Sequence, residues 1–413
     1  VPPAEVEAGE RMFLETRFAH YFYAYTGANV NAPLEKGDPV LARVAVAERG
    51  VPAVKGPFAG QTMNCAVCHL NEELKGKRRL PGRGVGAFND LARRSPVPQR
   101  DDGKTTTARN SRSLVGALEA GAGGLFNFDG EYAGAEAIVK GTLTGRNFGW
   151  LPGEQATAKK HFARVLREDD GAGALAAEYG KLSYAVLLRG TDAAIPATLR
   201  LPEKWRVDVA TADDDAVLDA GARLIAAYLR SLRFARDGRG LHNGSPYDAF
   251  LAANGLPRAP AKGETPAAYT RRLREAVEGM AAPKFVQERK RKLKYHEQIF
   301  QFGEAELRGL KIFLSEPERA TAGAGTTAGA EGASVAKTKS VGAGNCAACH
   351  TPPHFTDFAF HNTGAAQDDF DALNGAGEFA RLEVPTLAVR NGDFEKWLPP
   401  TEKHPLAKGP FLA

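Results

Sequence analysis

Two short stretches carry residues that could do chemistry together: Cys65-Ala66-Val67-Cys68-His69 and Cys346-Ala347-Ala348-Cys349-His350. Two cysteines separated by two residues and followed at once by histidine is the spacing that lets both thiols add across the vinyl groups of one haem while the imidazole ligates its iron. The chain has four cysteines in all, and the two stretches use every one. Each is therefore expected to attach one covalent c-type haem, through Cys65, Cys68 and His69 in one case and Cys346, Cys349 and His350 in the other. Two other chemistries use paired cysteines. Four thiolates can close a structural zinc site, but zinc gives no reason for a histidine at the same offset in both copies. A dithiol redox centre needs a thioredoxin-like βαβ context, which surrounds neither motif.

The elements that must position these motifs are themselves repeated. Glu7-Ala8-Gly9-Glu10-Arg11-Met12-Phe13-Leu14-Glu15 has a counterpart in Leu307-Arg308-Gly309-Leu310-Lys311-Ile312-Phe313-Leu314-Ser315, each upstream of a motif. Glycine followed by a large apolar pair predicts a helix packed closely on a second helix in each half, an internal duplication of helix, loop and attachment site. Gly27, Pro33, Gly37, Pro39, Gly50, Pro52, Gly56 and Pro57 make the first connection an irregular loop, and the basic stretch 75–107 reads as loop too. Leu218, Ala222, Ile225, Leu229 and Leu232 recur at helical spacing and line one face. Short charged helices are expected over Thr270–Val277 and Phe285–Phe300, and a flexible surface loop over Ala320–Lys337, which is almost wholly Ala, Gly and Thr. Strand signals are few. The expected fold is mainly α, with two tandem cytochrome c-type haem domains, long irregular loops and a helical insertion. Its boundaries are 1–236 for the N-terminal haem domain, 237–301 for a linker with the insertion, and 302–413 for the C-terminal haem domain.

With 413 residues, 43% of them hydrophobic and 25% charged, the chain has the composition of a globular protein of two or three domains. No apolar run approaches the roughly eighteen residues of a membrane span. Covalent attachment of haem to thiols belongs outside the cytoplasm, so the bacterial periplasm is expected, with a leader that preceded Val1 and has been removed. The net charge of +5 is mild, and its densest part is Lys284–Lys294. That run reads as a solvated helix face or as a surface that steers an acidic electron-transfer partner. Nucleic acid is not an expected partner, because basic residues are not interleaved with aromatics and no known nucleic-acid-binding motif is present.

Around the two motifs the chain resembles the bacterial di-haem cytochrome c peroxidases, among whose relatives is the methylamine-dehydrogenase maturation enzyme. The likeness runs through Arg109-Asn110-Ser111, Phe128-Asp129-Gly130-Glu131 and Ser245-Pro246-Tyr247-Asp248. It continues through Glu306–Phe313 and, past the second motif, Phe355-Thr356-Asp357-Phe358 and Phe360-His361-Asn362-Thr363-Gly364. The resemblance implies reduction of hydrogen peroxide to water, with His69 on the peroxide-cleaving iron and His350 on an electron-relay iron. Electrons would come from a small cytochrome or copper protein. Glu154 falls where the family's acid–base glutamate follows the Asp-Gly stretch, with Glu131 and Glu136 as rivals. Asn110 matches an asparagine that helps hold a calcium ion, though it reads equally as a turn or cap residue. A homodimer is left open. Two other readings use the same haems: a di-haem oxidase that modifies side chains of a partner protein, and a non-catalytic electron carrier.

The chain departs from that family in three places. Between His69 and His161 there is no histidine, so the first haem is expected to be open without reductive activation. Met63 lies too close to its own motif to cap it, which leaves His161 or His20 as remote capping candidates. The stretch that completes the relay haem's coordination in the family is not found before Ala413, so the C-terminal domain is expected to be incomplete. His354, His361 and His404 are the remaining candidate ligands. Phe128 stands where the family has a tryptophan between the haems, a role that Trp150 could fill instead.

Overall fold

The computed structural model describes residues 2–27, 29–33, 63–69, 97–98, 100–103, 114–118, 126–127, 132–288, 299–316, 344–358 and 376–377. The described chain is mainly helical and divides into two compact units, one drawn from residues up to 235 and one running from 236 through the second motif.

The first unit contains α1 (Ala4–Phe13), α2 (His20–Thr26), α3 (Cys65–Cys68), α4 (Ala135–Leu143), α5 (Gln155–Glu168), α6 (Ala174–Glu178), α7 (Tyr184–Arg189) and α8 (Asp214–Ser231). Helix α8 starts where Asp213 caps it, its carboxylate accepting from the Ala216 N–H at 2.8 Å, with Asp214 and Asp215 placed favourably for the dipole. The predicted apolar face is buried at Leu218, Ala222, Ile225, Leu229 and Leu232. Burial also runs all the way round from Leu224 to Leu229, because α1, α4 and α5 pack on this one helix. Gly9 is the closest point of approach. A Cβ there would lie 2.0 Å from the Leu224 carbonyl oxygen, so only glycine lets α1 meet α8 at that depth. One turn on, Phe13 meets Tyr228 at 5.0 Å between ring centroids.

The C-terminal half of α1 carries charge into this core. Arg11 is fully buried and donates to Asp169 at 2.8 Å and to the Leu182 carbonyl at 2.6 Å, with its guanidinium 3.8 Å from the centre of the Tyr184 ring. Asp169 also pairs with Arg17 at 2.9 Å, and Arg17 grips Glu15 through two further nitrogens at 2.9 and 2.8 Å. Tyr184 donates to Glu15 at 3.0 Å and Tyr179 to Glu10 at 3.0 Å. Burial alone would push the Glu15 carboxyl up, but the charge and hydrogen bonds of Arg17 outweigh it and hold it down to about 2.

The second unit contains α9 (Pro246–Ala253), α10 (Pro266–Glu278), the strands β1 (Val286–Glu288) and β2 (Phe300–Phe302), and α11 (Glu304–Leu314). Ser245 and Asp248 cap α9 reciprocally, each side chain bonded to the other's N–H at 3.0 Å, and Pro246 opens the first turn. Thr265 caps α10 by accepting from Ala268 at 3.2 Å. These two helices lie in the span that the sequence reads as a linker, and they share one apolar core with α11: Phe250, Leu251, Tyr269, Leu273, Val277, Phe302, Leu307, Leu310 and Leu314. The charged helix expected over Phe285–Phe300 is not formed at its start or end. Val286 to Glu288 is strand, paired antiparallel with Phe300 to Phe302 in the register Val286 to Phe302. The pairing is tertiary: Phe302, opposite Val286, is buried and stacks on Phe250 at 4.1 Å. Residues 289–298 and the expected loop 320–337 lie outside the described residues.

The duplicated helices differ at their glycines. Around Gly309 no described atom lies within 4 Å of the Cβ position, unlike Gly9. Gly9→Ala is therefore expected to cost about 3 kcal/mol in overpacking, whereas Gly309→Ala should gain about 0.5–1 kcal/mol of helix propensity. Urea denaturation followed by circular dichroism checks both, and equal losses would contradict the difference. A second expectation concerns Glu15. Its lowered carboxyl stabilises the fold fully above the ordinary value of 4.5, and that contribution disappears as pH falls toward 2. Glu15→Gln should lose about 3 kcal/mol at pH 7, leaving Arg17 without its main partner, and should flatten the stability–pH curve between 4.5 and 2.

Candidate functional site

Both motifs are wound into a single turn. In the first, Cys65–Cys68 is α-helical and the His69 N–H donates to the Cys65 carbonyl at 2.9 Å. In the second, Cys346–Ala348 is a 3-10 turn and the His350 N–H donates to the Cys346 carbonyl at 2.8 Å. Positions i, i+3 and i+4 share a face of such a turn, so two thiols and an imidazole are grouped by local backbone alone. All four cysteines are free thiols.

Each turn is tethered to the end of its duplicated helix by the asparagine that precedes it. Asn64 is buried and donates from its side chain to the Leu14 carbonyl at 3.0 Å, at the C-terminus of α1. Asn345 does the same work through its backbone: its N–H donates to the Ser315 carbonyl at 3.0 Å, and Gly344 donates to Ile312 at 3.1 Å and to the Ser315 hydroxyl at 2.9 Å. Asn345 sits in the left-handed region at φ 45°, a conformation that asparagine tolerates better than most residues. Sequence reasoning missed both asparagines, although Asn-Cys-Ala opens both motifs.

The two sites differ in exposure. Cys65 and Cys68 pack against the core of the first unit. Burial, then the neighbouring Cys68, pushes the Cys65 thiol up to about 12, so it lacks the thiolate character of a redox-exchanging dithiol. The second site is open: Cys349 and His350 are exposed, beside the exposed side chains of Ile312 and Phe355. His350 Nδ1 lies 3.2 Å from the Phe355 carbonyl. A carbonyl only accepts, so Nδ1 carries a proton and Nε2 is the nitrogen not used in this contact. This is the arrangement in which a histidine serves as a metal ligand, its second nitrogen oriented by a backbone acceptor. The donor set of the second site therefore fits a covalently held haem. Among the described residues no group of three or more His, Cys, Asp or Glu is arranged to hold a bare metal ion, and no helix is long and apolar enough to cross a membrane.

Glu154 stands just before α5 with both carboxylate oxygens hydrogen-bonded. Arg100 grips it with two nitrogens at 2.8 and 2.9 Å, and the Leu151 N–H donates to it at 2.7 Å. Arg100 thereby holds the carboxyl down to about 2, although a third of the side chain is exposed. Arg100 also donates to the Gly149 carbonyl, and its loop is secured by Arg146 on Asp102 at 2.6 and 2.8 Å. Trp150 beside it is buried and donates to the Phe18 carbonyl at 3.3 Å. Around this indole stand His20 at 5.1 Å, Tyr23 at 5.5 Å and His161 at 5.9 Å between ring centroids.

Of the capping candidates, His161 is buried in α5 with Nε2–H donating to the Arg17 carbonyl at 2.7 Å, and burial holds it down to about 4. His20 is half-buried at the start of α2. Met63 belongs to the core of the first unit, His354 is exposed beside Phe358, and Glu136 pairs with Arg230 at 2.7 Å. Glu131, Asn110, Phe128, His361 and His404 lie outside the described residues. Arg100 was not found from sequence, since the partner of a carboxylate 54 positions away leaves no local signal.

The tethers generate a prediction. Asn64→Ala should lose about 1–2 kcal/mol, because it removes a buried side-chain hydrogen bond and leaves a carbonyl without it. Asn345→Gly should be near neutral, since its tether is a backbone N–H and glycine accepts positive φ. Denaturant midpoints measured on both variants decide whether the two tethers are as different as the geometry makes them.

Compared with known proteins, the chain matches no family model, no curated protein and no solved structure.

Proposed function

We propose that the chain is a di-haem c-type peroxidase of the bacterial periplasm that reduces hydrogen peroxide to water with electrons from a small cytochrome or copper protein. One observation carries the reading: twice in one polypeptide, Cys-x-x-Cys-His is wound into a single turn and tethered to the end of a duplicated helix. The second histidine, with Nδ1–H on a carbonyl and Nε2 not used in that contact, supports it further. When bound, the two haems would supply the electron-transfer and peroxide chemistry that no side chain here provides. The chain's own part is to hold them by Cys65, Cys68, Cys346 and Cys349, to orient His69 and His350 as iron ligands, and to manage protons.

The division of labour follows the resemblance to di-haem peroxidases, with peroxide at the first motif and electron entry at the second. The exposure of Cys349, His350, Ile312 and Phe355 suits a site that must exchange electrons with a docking protein. The same resemblance brings Glu154 or Glu131 to proton transfer and a calcium ion to Asn110.

Mass spectrometry of the denatured protein, made in a host with haem-attachment machinery, is expected to give a mass increased by two haems. Cys65→Ala with Cys68→Ala, or Cys346→Ala with Cys349→Ala, should each remove one. The loaded protein should consume peroxide saturably with a reduced small cytochrome as donor. A mass without haem refutes the whole reading, and loading without peroxide turnover leaves an electron carrier or a protein-modifying oxidase.

A further inference from the structure

A histidine ligates a metal through a ring nitrogen that has no proton, and which nitrogen that is follows from the hydrogen bond made by the other. In water a neutral histidine side chain carries its proton mainly on Nε2. An exposed imidazole such as that of His350 therefore offers Nε2 only where a local acceptor draws the proton to Nδ1. At the second motif that acceptor is the Phe355 carbonyl, 3.2 Å from Nδ1. The residue that carries it is in left-handed backbone, at φ 56°. An aromatic residue keeps that conformation only where its surroundings enforce it, and such departures gather at sites whose geometry is used.

We infer that Phe355 is the positioning residue of the second Cys-x-x-Cys-His turn: its left-handed backbone, braced by Tyr247 and Phe313, holds His350 in the Nδ1–H form before any haem is attached. The Phe355 ring stands edge to face with Tyr247, at 5.5 Å and 75° between ring centroids and planes, and tilted against Phe313 at 5.7 Å. Tyr247 belongs to α9 and Phe313 to α11, and both pack against the core of the second unit. The loop is thus braced by two helices outside the motif itself. Backbone bonds close it from the other side. The Asp357 N–H donates to the Cys349 carbonyl at 3.0 Å, and the Phe358 N–H donates to the Thr356 hydroxyl at 3.0 Å. Within the turn, the Thr351 hydroxyl donates to the Ala347 carbonyl at 3.0 Å. All of these residues lie in one compact unit. On the function proposed above, the same carbonyl has a second effect: an imidazole that donates from Nδ1 is the more basic ligand through Nε2, which favours ferric iron and lowers the reduction potential of the second haem.

The test uses the full chain, first unloaded with its thiols reduced and then haem-loaded. In the unloaded chain, NMR of 15N-labelled imidazole in mildly alkaline buffer, with His350 assigned by its absence in His350→Gln, should show mainly the Nδ1–H form. Phe355→Val should move the tautomer ratio about fivefold toward Nε2–H, the worth of one ordinary hydrogen bond, because a β-branched residue resists positive φ. Phe355→Gly takes up positive φ freely and should keep more of the Nδ1–H form than Phe355→Val. Tyr247→Leu leaves the loop itself untouched, removes one brace, and should move the ratio in the same direction as Phe355→Val. Circular dichroism checks that each variant is folded. In the loaded chain, the midpoint potential of the haem that Cys346→Ala with Cys349→Ala removes should rise in Phe355→Val and in Tyr247→Leu and stay near the wild-type value in Phe355→Gly. An Nε2–H majority in the unloaded wild type overturns the inference, as do equal tautomer ratios in the valine and glycine variants. A chain that never takes up haem refutes the proposed function instead, and the tautomer measurement still decides the inference.

Discussion

The ion pair between Arg11 and Asp169 is the constraint on which the first unit depends. Both side chains are cut off from solvent, where an unpaired charge would cost several kcal/mol. Asp169 also ends α5, so its negative charge stands at the unfavourable end of that helix's dipole. Arg11 and Arg17 together offset that cost, and each also donates one Nη1–H to a carbonyl, Leu182 for Arg11 and Val30 for Arg17. One pair thus fixes α1 against the end of α5 and the start of α7. It leaves little freedom for α1 to slide along α8, and the close approach at Gly9 needs that rigidity.

The register of α1 then decides where the first motif can be. The Leu14 carbonyl, at the C-terminus of α1, is the acceptor for Asn64, and Cys65 follows directly. In the second unit α11 plays the same part with different means. Every buried charged residue among those described belongs to the first unit; the second holds its helix by Leu307, Leu310 and Leu314 on an aliphatic and aromatic core, and by the backbone bonds from 344 and 345 to the helix end. Two solutions to the same anchoring problem, one ionic and one apolar, carry the same five-residue turn. The ionic one is the more specific, because a shift of one residue would bury a charge without its partner.

The surroundings of Glu154 follow a similar rule. A helix start is a favourable place for a carboxylate, and a bidentate arginine makes it more so. The result is a rigid charged pair whose field reaches the half-buried His20.

Much of this was legible in the sequence because it is local. The Cys-x-x-Cys-His turns need only helical backbone, and their grouping of thiols and imidazole follows from a period near 3.6. The apolar face of α8 and the caps at Asp213, Ser245 and Thr265 are likewise written in residue spacing and type. What lay beyond reach was everything that joins distant positions. Residues 286–288 read as charged helix from their neighbours, yet they pair as a strand with 300–302, whose Phe302 is stacked on Phe250. Gly9 and Gly309 look alike in sequence, but only the first meets another helix's backbone among the described residues. The partners of Asp169 and Glu154 are 158 and 54 positions away, and charge carries no label of the charge it will meet. The sequence by itself determined which residues can form the Cys-x-x-Cys-His turns, whereas the fold alone decided which helix ends hold them and which buried charges face one another, since those are long-range contacts set by the packing of whole elements.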